Sequence, residues 1–156
     1  MFYVNNSMEK TRTDNLYGRI DLSKTHFEVN VAMTTILKPN PAHLRIIYDN
    51  YCKFKKFASV TPLHDAMILN DDIEVIGYYD EGELVAFSLI RHYDSETVEN
   101  IQFAWNYNKP ELRLGIKSLK TECAYFKTRG VKYIEIGLDA PYKREFDGYE
   151  VMGPNV

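Results

Sequence analysis

Three cationic side chains surround a glycine in the second half of the chain, and their spacing favours the binding of an anion. Lys109, Arg113 and Lys117 recur every four residues, and Gly115 lies between the last two. A helical pattern opens at Pro110, and the first turn of a helix offers free N–H groups and the positive end of the helix dipole. Gly115 removes a side chain where a ligand would approach. The stretch therefore predicts a phosphate site at the start of a helix.

The elements around this stretch predict a strand, a turn and a helix. Thr97–Trp105 alternates as a strand, and the turn Asn106–Lys109 follows it. Over Pro110–Arg129 the apolar residues recur every three or four positions, which is the helical period, and Gly130 ends the pattern. Val131–Leu138 is predicted to be a strand. A strand, a crossover helix and a second strand predict a parallel pair, and ligands bind beyond the carboxyl ends of such strands.

The rest of the chain predicts antiparallel strands and one more helix. Asn40 and Pro41 open an amphipathic helix, as an N-cap and a first helical residue. Residues 1–25 are polar and rich in turn-forming residues, so we expect a loosely held N-terminal arm. We expect an α/β (α+β type) fold with a mixed, mostly antiparallel sheet and flanking helices. Its other strands are predicted at His26–Thr35, Glu74–Tyr79, Glu83–Tyr93 and Tyr149–Met152.

The composition is typical of a globular protein. The 156 residues are 45% hydrophobic, 13% aromatic and 26% charged, with a net charge of −3. This composition excludes a disordered chain and a strongly basic nucleic-acid binder. No apolar run approaches the ~20 residues of a membrane span, and the first residues lack the apolar segment of a secretory signal. We expect one domain over residues 1–156, in the cytoplasm and with no membrane partner.

Residues that bind metals or form disulfides are too scattered to predict a site. Cys52 and Cys123 do not form a disulfide framework, and both fall on the apolar stripe of a predicted helix. The four histidines share no metal-ligand spacing with one another or with the cysteines. The G-x-S-x-G and Walker A patterns are absent. We expect buried, reduced thiols and no metal.

Two further groups of residues have alternative interpretations. Trp105 and Tyr107 flank the predicted phosphate site, where they either stack on a ligand or pack at its rim. Lys53, Lys55 and Lys56 end the helix that begins at Pro41. They either favour its dipole or contact a phosphate or RNA.

The predicted strand, turn and helix resemble a cofactor-binding element of a known family. In the GCN5-related N-acetyltransferases (GNAT) the helix after the fourth strand begins with R/Q-x-x-G-x-G/A, which holds the pyrophosphate of acetyl-CoA. The matching stretch is Leu112–Lys117, which keeps the first glycine but has Lys117 in place of the second small residue. The resemblance implies a GNAT-like fold with acetyl-CoA or another acyl-CoA as co-substrate and no metal. The residues implied to hold it are Phe103, Ala104, Trp105, Leu112, Arg113, Leu114, Gly115, Ile116 and Lys117.

A second resemblance covers residues 74–154. The stretch 110–138 is similar to the last part of arginyl-tRNA–protein transferase-like enzymes, which also use a GNAT-type fold. The shared pattern is an R-L-G start, a helix ending in K-x-x-G and a K-Y-x-x-x-G strand, and Tyr142–Phe146 resembles the element that follows. This resemblance implies aminoacyl-tRNA as an alternative donor. The net charge of −3 argues against the broad basic surface that a tRNA needs.

The GNAT resemblance also implies which side chains transfer protons. In the GNAT reaction an amine attacks a thioester directly, so the protein positions both and removes one proton. Tyr142 follows the last predicted strand, where the family often has an acid for the departing thiolate, and Lys143 would lower its pKa. Glu99 or Glu135 would accept the proton of the amine. The alternatives are a tyrosine that packs by its ring and two solvent-facing carboxylates.

Three functions remain open from the sequence. The first is an N-acyltransferase that moves an acyl group from acyl-CoA to a small-molecule or protein amine. The second uses aminoacyl-tRNA as the donor. The third is a non-enzymatic GNAT-like module that works through protein contacts, because the motif has lost its second glycine. After Leu138 the family has another helix and two strands, so we also expect a homo-oligomer that completes this half.

Overall fold

The computed structural model of the protein describes residues 16–57 and 61–153. Its strands are β1 (Tyr17–Asp21), β2 (Ala32–Thr35), β3 (Ile73–Asp80), β4 (Glu83–His92), β5 (Thr97–Trp105), β6 (Tyr133–Leu138) and β7 (Tyr149–Met152). Its helices are α1 (Pro41–Lys55), the short α2 (Asp65–Ile68) and α3 (Leu114–Thr128). Short 3₁₀ segments lie at Leu22–Lys24, Pro110–Leu112 and Pro141–Glu145.

The strands form one sheet in the order β2-β3-β4-β5-β6-β1-β7. Every neighbouring pair is antiparallel except β5 and β6, which are parallel. Helix α3 is the crossover between these two strands. The structure therefore confirms the predicted mixed, mostly antiparallel sheet with flanking helices and one parallel crossover.

The β3–β4 hairpin has a two-residue turn, since Asp80 pairs with Glu83. Its two central residues, Glu81 and Gly82, have φ angles of +52° and +81°. Positive φ at both positions gives a turn whose twist matches that of the paired strands. Gly82 adopts such an angle without a steric penalty because it has no Cβ.

The predicted loose arm over residues 1–25 is wrong for its last part. Strand β1 lies inside the sheet, between β6 and β7. Ile20 and Leu22 are fully buried, so the segment contributes to the core as well as to the sheet. The alternating apolar pattern of β1 is short and lies among turn-forming and polar residues, so it is hard to recognise in the sequence. The strands that stabilise β1, β6 and β7, lie far along the chain. The first 15 residues of the predicted arm lie outside the described part of the chain.

The predicted strand over His26–Thr35 is also too long, because only its last four residues, β2, pair with β3. The preceding residues lie against α3. The backbone N–H of Asn30 donates to Oγ1 of Thr121 (3.1 Å), and the Thr121 hydroxyl donates to Oδ1 of Asn30 (2.8 Å). The ring of Phe27 meets Phe146 edge-on, at 6.1 Å between centroids. These contacts replace the strand pairing that the alternation predicts.

Helix α3 begins four residues later than the predicted start at Pro110. Pro110–Leu112 forms a 3₁₀ turn, and Arg113 then adopts a left-handed conformation with φ 49° and ψ 46°. A residue in that region cannot continue a right-handed helix, so α3 starts afresh at Leu114. Its end is as predicted, since Gly130 has φ +83° just past the last turn.

Both cysteines are free thiols, and Cys123 is buried while Cys52 is half-buried. Burial raises the pKa of both thiols. Among the residues that the structure describes, no helix combines the length and the apolar character needed to cross a membrane.

Candidate functional site

The site begins where the two parallel strands separate. The pairing of β5 with β6 covers Thr97–Glu99 and ends before the carboxyl half of β5. In the same region Leu89 of β4 is opposite Gln102, whereas Ile90 is opposite Asn100. Ile101 is therefore the extra residue of a β-bulge, and a bulge bends its strand and increases its twist.

A cleft of about 580 Å³ opens at the carboxyl end of β5, and we call it the first cleft. Five parts of the chain contribute to its walls: the end of β5, the segment between β5 and α3, the first turns of α3, the 3₁₀ segment after β6 with the residue that follows it, and the end of α1 with Phe57. Its lining includes Phe103, Trp105, Gly115, Ile116, Tyr142, Phe146, Tyr51 and Lys55. The volume lies in the range of small-molecule sites.

Nine residues were predicted to bind the cofactor, and the structure places only some of them in the first cleft. Five of them line the first cleft, namely Phe103, Trp105, Arg113, Gly115 and Ile116. Ala104 is fully buried in β5, opposite Phe87. Leu112 and Leu114 line a separate cavity of about 40 Å³ on another side of Trp105. Lys117 is half-buried and lines neither cavity.

The amino terminus of α3 reaches the first cleft through its backbone. The first intrahelical bond runs from the N–H of Lys117 to the carbonyl of Arg113 at 3.1 Å, so the N–H groups of residues 114–116 precede it. Within the described part of the chain no side chain caps this end. A Cβ at Gly115 would lie 3.9 Å from the Phe103 ring. These N–H groups and the positive dipole end suit an anion.

The cations near this helix end differ from those that the sequence predicts. Lys109 is held by Asp80 at 2.8 Å and lies 3.6 Å from Glu81, and it does not line the first cleft. Lys55 does line the cleft, with Nζ 5.5 Å from the centre of the Tyr107 ring. Arg113 and Lys55 are thus its lining cations. The contribution of Lys55 depends on how α1 packs, so the local pattern shows only a basic helix end.

Aromatic rings form the outer wall of the first cleft. Tyr107 stacks on Phe54 with 3.9 Å between centroids and lies 4.1 Å from Trp105. Tyr107 also has a φ of +54°, which is uncommon for a residue with a side chain. Trp105 is 3% exposed, so its ring packs in the wall. Tyr107 is half-buried and also lines the cleft, whereas Phe54 is exposed and stacks on Tyr107 from outside the lining.

Tyr142 lines the first cleft, but Lys143 does not act on it as predicted. Lys143 is buried, and its Nζ donates to the carbonyls of Ile136 at 2.8 Å and Leu138 at 2.6 Å. Tyr142 is 49% exposed, and the partial burial of its ring raises the pKa of the phenol to about 12. Nζ of Lys143 also lies 5.9 Å from the centre of the Tyr142 ring, but burial sets the direction of the pKa shift, so the prediction of a lowered pKa is wrong. A raised pKa keeps the phenol protonated at neutral pH.

Glu99 and Glu135 lie in a second cleft, of about 440 Å³. Tyr17, Arg19 and Tyr93 also line it, and the Tyr93 hydroxyl donates to Glu99. Burial raises the pKa of Glu135, and the charge of Glu99 raises it further, while Arg19 opposes both. The two clefts share no lining residue. The structure therefore separates the two glutamates from Tyr142.

Among residues 16–57 and 61–153, no group of three or more His, Cys, Asp and Glu side chains is arranged to hold a metal ion.

No protein-family model matches the chain, and a comparison with curated protein sequences finds no match. Solved structures do match. L-PGS from Bacillus licheniformis superposes with a TM-score of 0.64 at 15% identity, over 80% of this chain and 46% of that one. The C-terminal domain of a protein described as a lysylphosphatidylglycerol synthetase, from Agrobacterium fabrum, gives 0.63 at 11% identity, over 83% and 48%.

A third match carries the name of an acetyltransferase family. This protein, from Novosphingobium aromaticivorans and described as a GNAT-family acetyltransferase, gives a TM-score of 0.58 at 12% identity, over 89% of this chain and 60% of that one. The chain thus spans less than two thirds of each of the three proteins. At sequence identities this low, the superpositions establish similarity of fold alone. The chain has the fold of the GCN5-related N-acetyltransferases.

Proposed function

We propose that the protein transfers an acyl group from an acyl-CoA to an amine, with the donor bound in the first cleft. The observation that carries the proposal is the free amino terminus of α3 beside an apolar cleft. Gly115 keeps this backbone open. The fold supports it, because solved proteins of this fold include one described as a GNAT acetyltransferase.

The cleft offers different chemistry to the two ends of the donor. The N–H groups of residues 114–116, together with Arg113 and Lys55, would bind the phosphates. Phe103 and Ile116 would pack against the uncharged arm that leads to the thioester. Among residues 16–57 and 61–153, two cations and no carboxylate line the cleft, so the charge of this lining is complementary to a phosphorylated ligand.

The reaction requires one bond to form and one to break. The amine nitrogen attacks the thioester carbon, the C–S bond breaks, and the sulfur leaves with the electron pair. Tyr142 would donate its proton to this thiolate, since its phenol is protonated at neutral pH. The amine loses a proton, and Glu135, whose pKa is also raised, would accept it through water because it lies in the second cleft.

Isothermal titration calorimetry with CoA and acetyl-CoA tests the donor site. We expect the wild type to bind both, and Gly115→Val to lose binding, since the new side chain covers the free N–H groups. Gly115→Ala should bind weakly and fold normally, because its Cβ would make an ordinary contact of 3.9 Å with Phe103.

A matched glycine variant controls for general damage. Gly82 lies at the β3–β4 turn, and a Cβ at this position would have nothing within 4 Å. Gly82→Ala should lower the stability of the protein somewhat because of the positive φ, but it should keep donor binding. If Gly115→Val binds CoA as tightly as the wild type does, the donor site must lie elsewhere in the protein. Absence of binding by the wild type would contradict the acyl-CoA proposal itself.

A second candidate is transfer of an aminoacyl group. It is favoured by the two matches with TM-scores of 0.64 and 0.63, one of which is described as a lysylphosphatidylglycerol synthetase. Aminoacyl-tRNA would then replace acyl-CoA as the donor. A filter-binding measurement with aminoacyl-tRNA separates the two candidates, since tRNA affinity without CoA affinity would support this one.

A further inference from the structure

A buried lysine lies where the two parallel strands separate. The pairing of β6 with β5 ends at Glu135, and residues 136–138 continue the strand beyond it. Lys143, in the 3₁₀ segment after β6, is only 3% exposed, and its Nζ donates to the carbonyls of Ile136 and Leu138. The ammonium group therefore bonds the part of β6 that extends past its pairing with β5.

The direction of the Leu138 carbonyl shows which side of β6 the ammonium group occupies. Strand β6 lies between β5 and β1. The N–H of Asp139 belongs to the same peptide unit as the Leu138 carbonyl, and it donates to the carbonyl of Leu16, next to β1, at 2.9 Å. In a trans peptide the C=O and N–H groups point in opposite directions, so the Leu138 carbonyl points away from β1. Lys143 thus occupies the side of β6 on which β5 would pair.

Hydrogen bonding makes this separation of the strands stable. Burial of an ammonium group is unfavourable unless the group is hydrogen-bonded or paired, and a buried carbonyl without a donor is unfavourable as well. Each of these groups is a partner of the other, so the end of β6 is stabilised without a neighbouring strand. A substitution that removes the ammonium group would detach the 3₁₀ segment from β6 at this point.

The attachment bears directly on Tyr142, the residue before the lysine. Within the 3₁₀ segment the Lys143 side chain is directed to β6, whereas the Tyr142 ring lines the first cleft. Nζ lies 5.9 Å from the centre of that ring. Phe146, whose N–H donates to the carbonyl of Lys143 at 3.1 Å, lines the same cleft. The position of this wall of the cleft therefore depends on Lys143.

We propose that Lys143 is a positioning residue, which fixes the 3₁₀ segment on β6 and thereby holds the Tyr142 phenol in the first cleft. The inference rests on the proposed function, because the position of the phenol affects the reaction only if Tyr142 is its acid. Lys143 does not line the cleft, so it acts through Tyr142 and not on the ligand. The competing explanation is that the lysine stabilises the fold and has no effect on the reaction.

A double-mutant cycle distinguishes the two explanations. Lys143→Met removes the ammonium group and keeps an unbranched side chain of similar length. Release of the CoA thiol from acetyl-CoA gives kcat, with the best acceptor from a panel of amino acids, diamines and amino sugars. Lys143→Met should lower kcat by about tenfold, because small displacements of a catalytic group are costly, with the Kd of acetyl-CoA nearly unchanged. In the Tyr142→Phe background the same substitution should lower kcat by less than about twofold, since the hydroxyl that it positions is gone.

Two further variants control for effects on folding. Lys127 also donates from its ammonium group to a backbone carbonyl, that of Thr25, and it lines neither cleft. Lys127→Met should therefore keep the wild-type kcat. Lys143→Gln retains an amide donor for β6, so it should fold even if Lys143→Met does not. It should lower kcat by about threefold, a smaller displacement of the phenol being expected. Thermal melting shows which variants are folded.

The outcomes for Lys143 and for the proposed function can be told apart. Equal losses of kcat in the wild-type and Tyr142→Phe backgrounds would overturn the inference, because Lys143 would then not act through the phenol. An unchanged kcat in the folded Lys143→Met variant, or in Lys143→Gln if the first does not fold, would also overturn it and leave the acyl-CoA proposal standing. If the wild type neither binds CoA nor releases it from acetyl-CoA, the proposed function fails, and the inference fails with it.

Discussion

Glu99 and Glu135 are direct partners across the parallel strands β5 and β6, so two carboxylates lie side by side in the second cleft. Burial and the charge of Glu99 raise the pKa of Glu135, and Arg19 counteracts them only in part. The fold thus contains a carboxyl group that holds its proton more tightly in the folded state than in the unfolded chain.

Glu135→Gln should increase the free energy of unfolding at pH 7 by up to about 0.5 kcal/mol, the range of a partly exposed substitution. Because the pKa of Glu135 is higher in the folded state than in the unfolded state, ionisation of this carboxyl lowers the free energy of unfolding. This loss develops as the pH rises above the pKa of the unfolded state, about 4.3. The gain should therefore vanish near pH 4, where both states are largely protonated. Denaturant unfolding at the two pH values measures this. Glu150→Gln, which removes a partner of Arg19 at 3.6 Å, should give no gain.

Glu74 should show the opposite pH dependence. Burial would raise its pKa, but hydrogen bonds with Thr35, His92 and Tyr125, together with the charge of Arg129, lower it overall. A carboxyl whose pKa is lowered in the folded state stabilises the fold at pH values above its pKa in the unfolded state. This stabilisation is lost as the pH falls through its pKa in the folded state. Glu74→Gln should destabilise the protein by roughly 1–3 kcal/mol at pH 7, and by less at pH 3.

The control for Glu74 is an exposed ion pair. Glu96 lies 2.7 Å from Lys132, and both side chains are mostly in solvent. Glu96→Gln should change the free energy of unfolding by less than about 1 kcal/mol. Equal effects of the two substitutions would show that the contacts around Glu74 do not stabilise the fold.

The buried carboxyl group of Glu122 joins α3 to three strands. The hydroxyls of Tyr78 and Ser88 donate to its Oε2, the latter at 2.6 Å, and Nδ2 of Asn100 donates to its Oε1 at 2.7 Å. Glu122→Ala removes the acceptor of the buried Tyr78 and Ser88 hydroxyls and leaves Nδ2 of Asn100 only a long bond of 3.5 Å to Oγ of Ser88. It should cost at least ~3 kcal/mol of the free energy of unfolding. Glu122→Gln keeps a carbonyl acceptor and should cost less. A nearly neutral alanine variant in urea unfolding would contradict this account.

Tyr142→Phe tests the acid in the proposed reaction. Loss of the phenol should lower kcat at least about tenfold, with the Kd of the donor nearly unchanged. Because the pKa of Tyr142 is raised to about 12, the wild type should retain this acid throughout the neutral and mildly alkaline range. Tyr149→Phe is the control, since that hydroxyl donates to Asp139 at 2.8 Å outside the first cleft. An unchanged kcat in Tyr142→Phe would remove this residue from the mechanism.

Elements whose signals are local could be predicted from the residue pattern. The Glu81-Gly82 turn, the alternation of β5, the helical period of α3 and its end at Gly130 all lie within a few residues of the structure they specify. The same signals predicted the parallel crossover and placed Gly115 near the start of its helix. The left-handed conformation of Arg113 moved that start to Leu114, which no local spacing indicates.

Tertiary structure decided which residues share a site. β1 joins the sheet between strands that follow it by more than a hundred residues, and α1 brings Lys55 to the first cleft. Folding pairs Lys109 with Asp80, away from the first cleft. It keeps Lys143 near the Tyr142 ring but directs its Nζ to two backbone carbonyls. It also directs Glu99 and Tyr142 into different clefts. Residue periodicity specifies which face of an element is apolar. Contacts between distant elements depend on how those faces pack, and the local pattern does not contain that information.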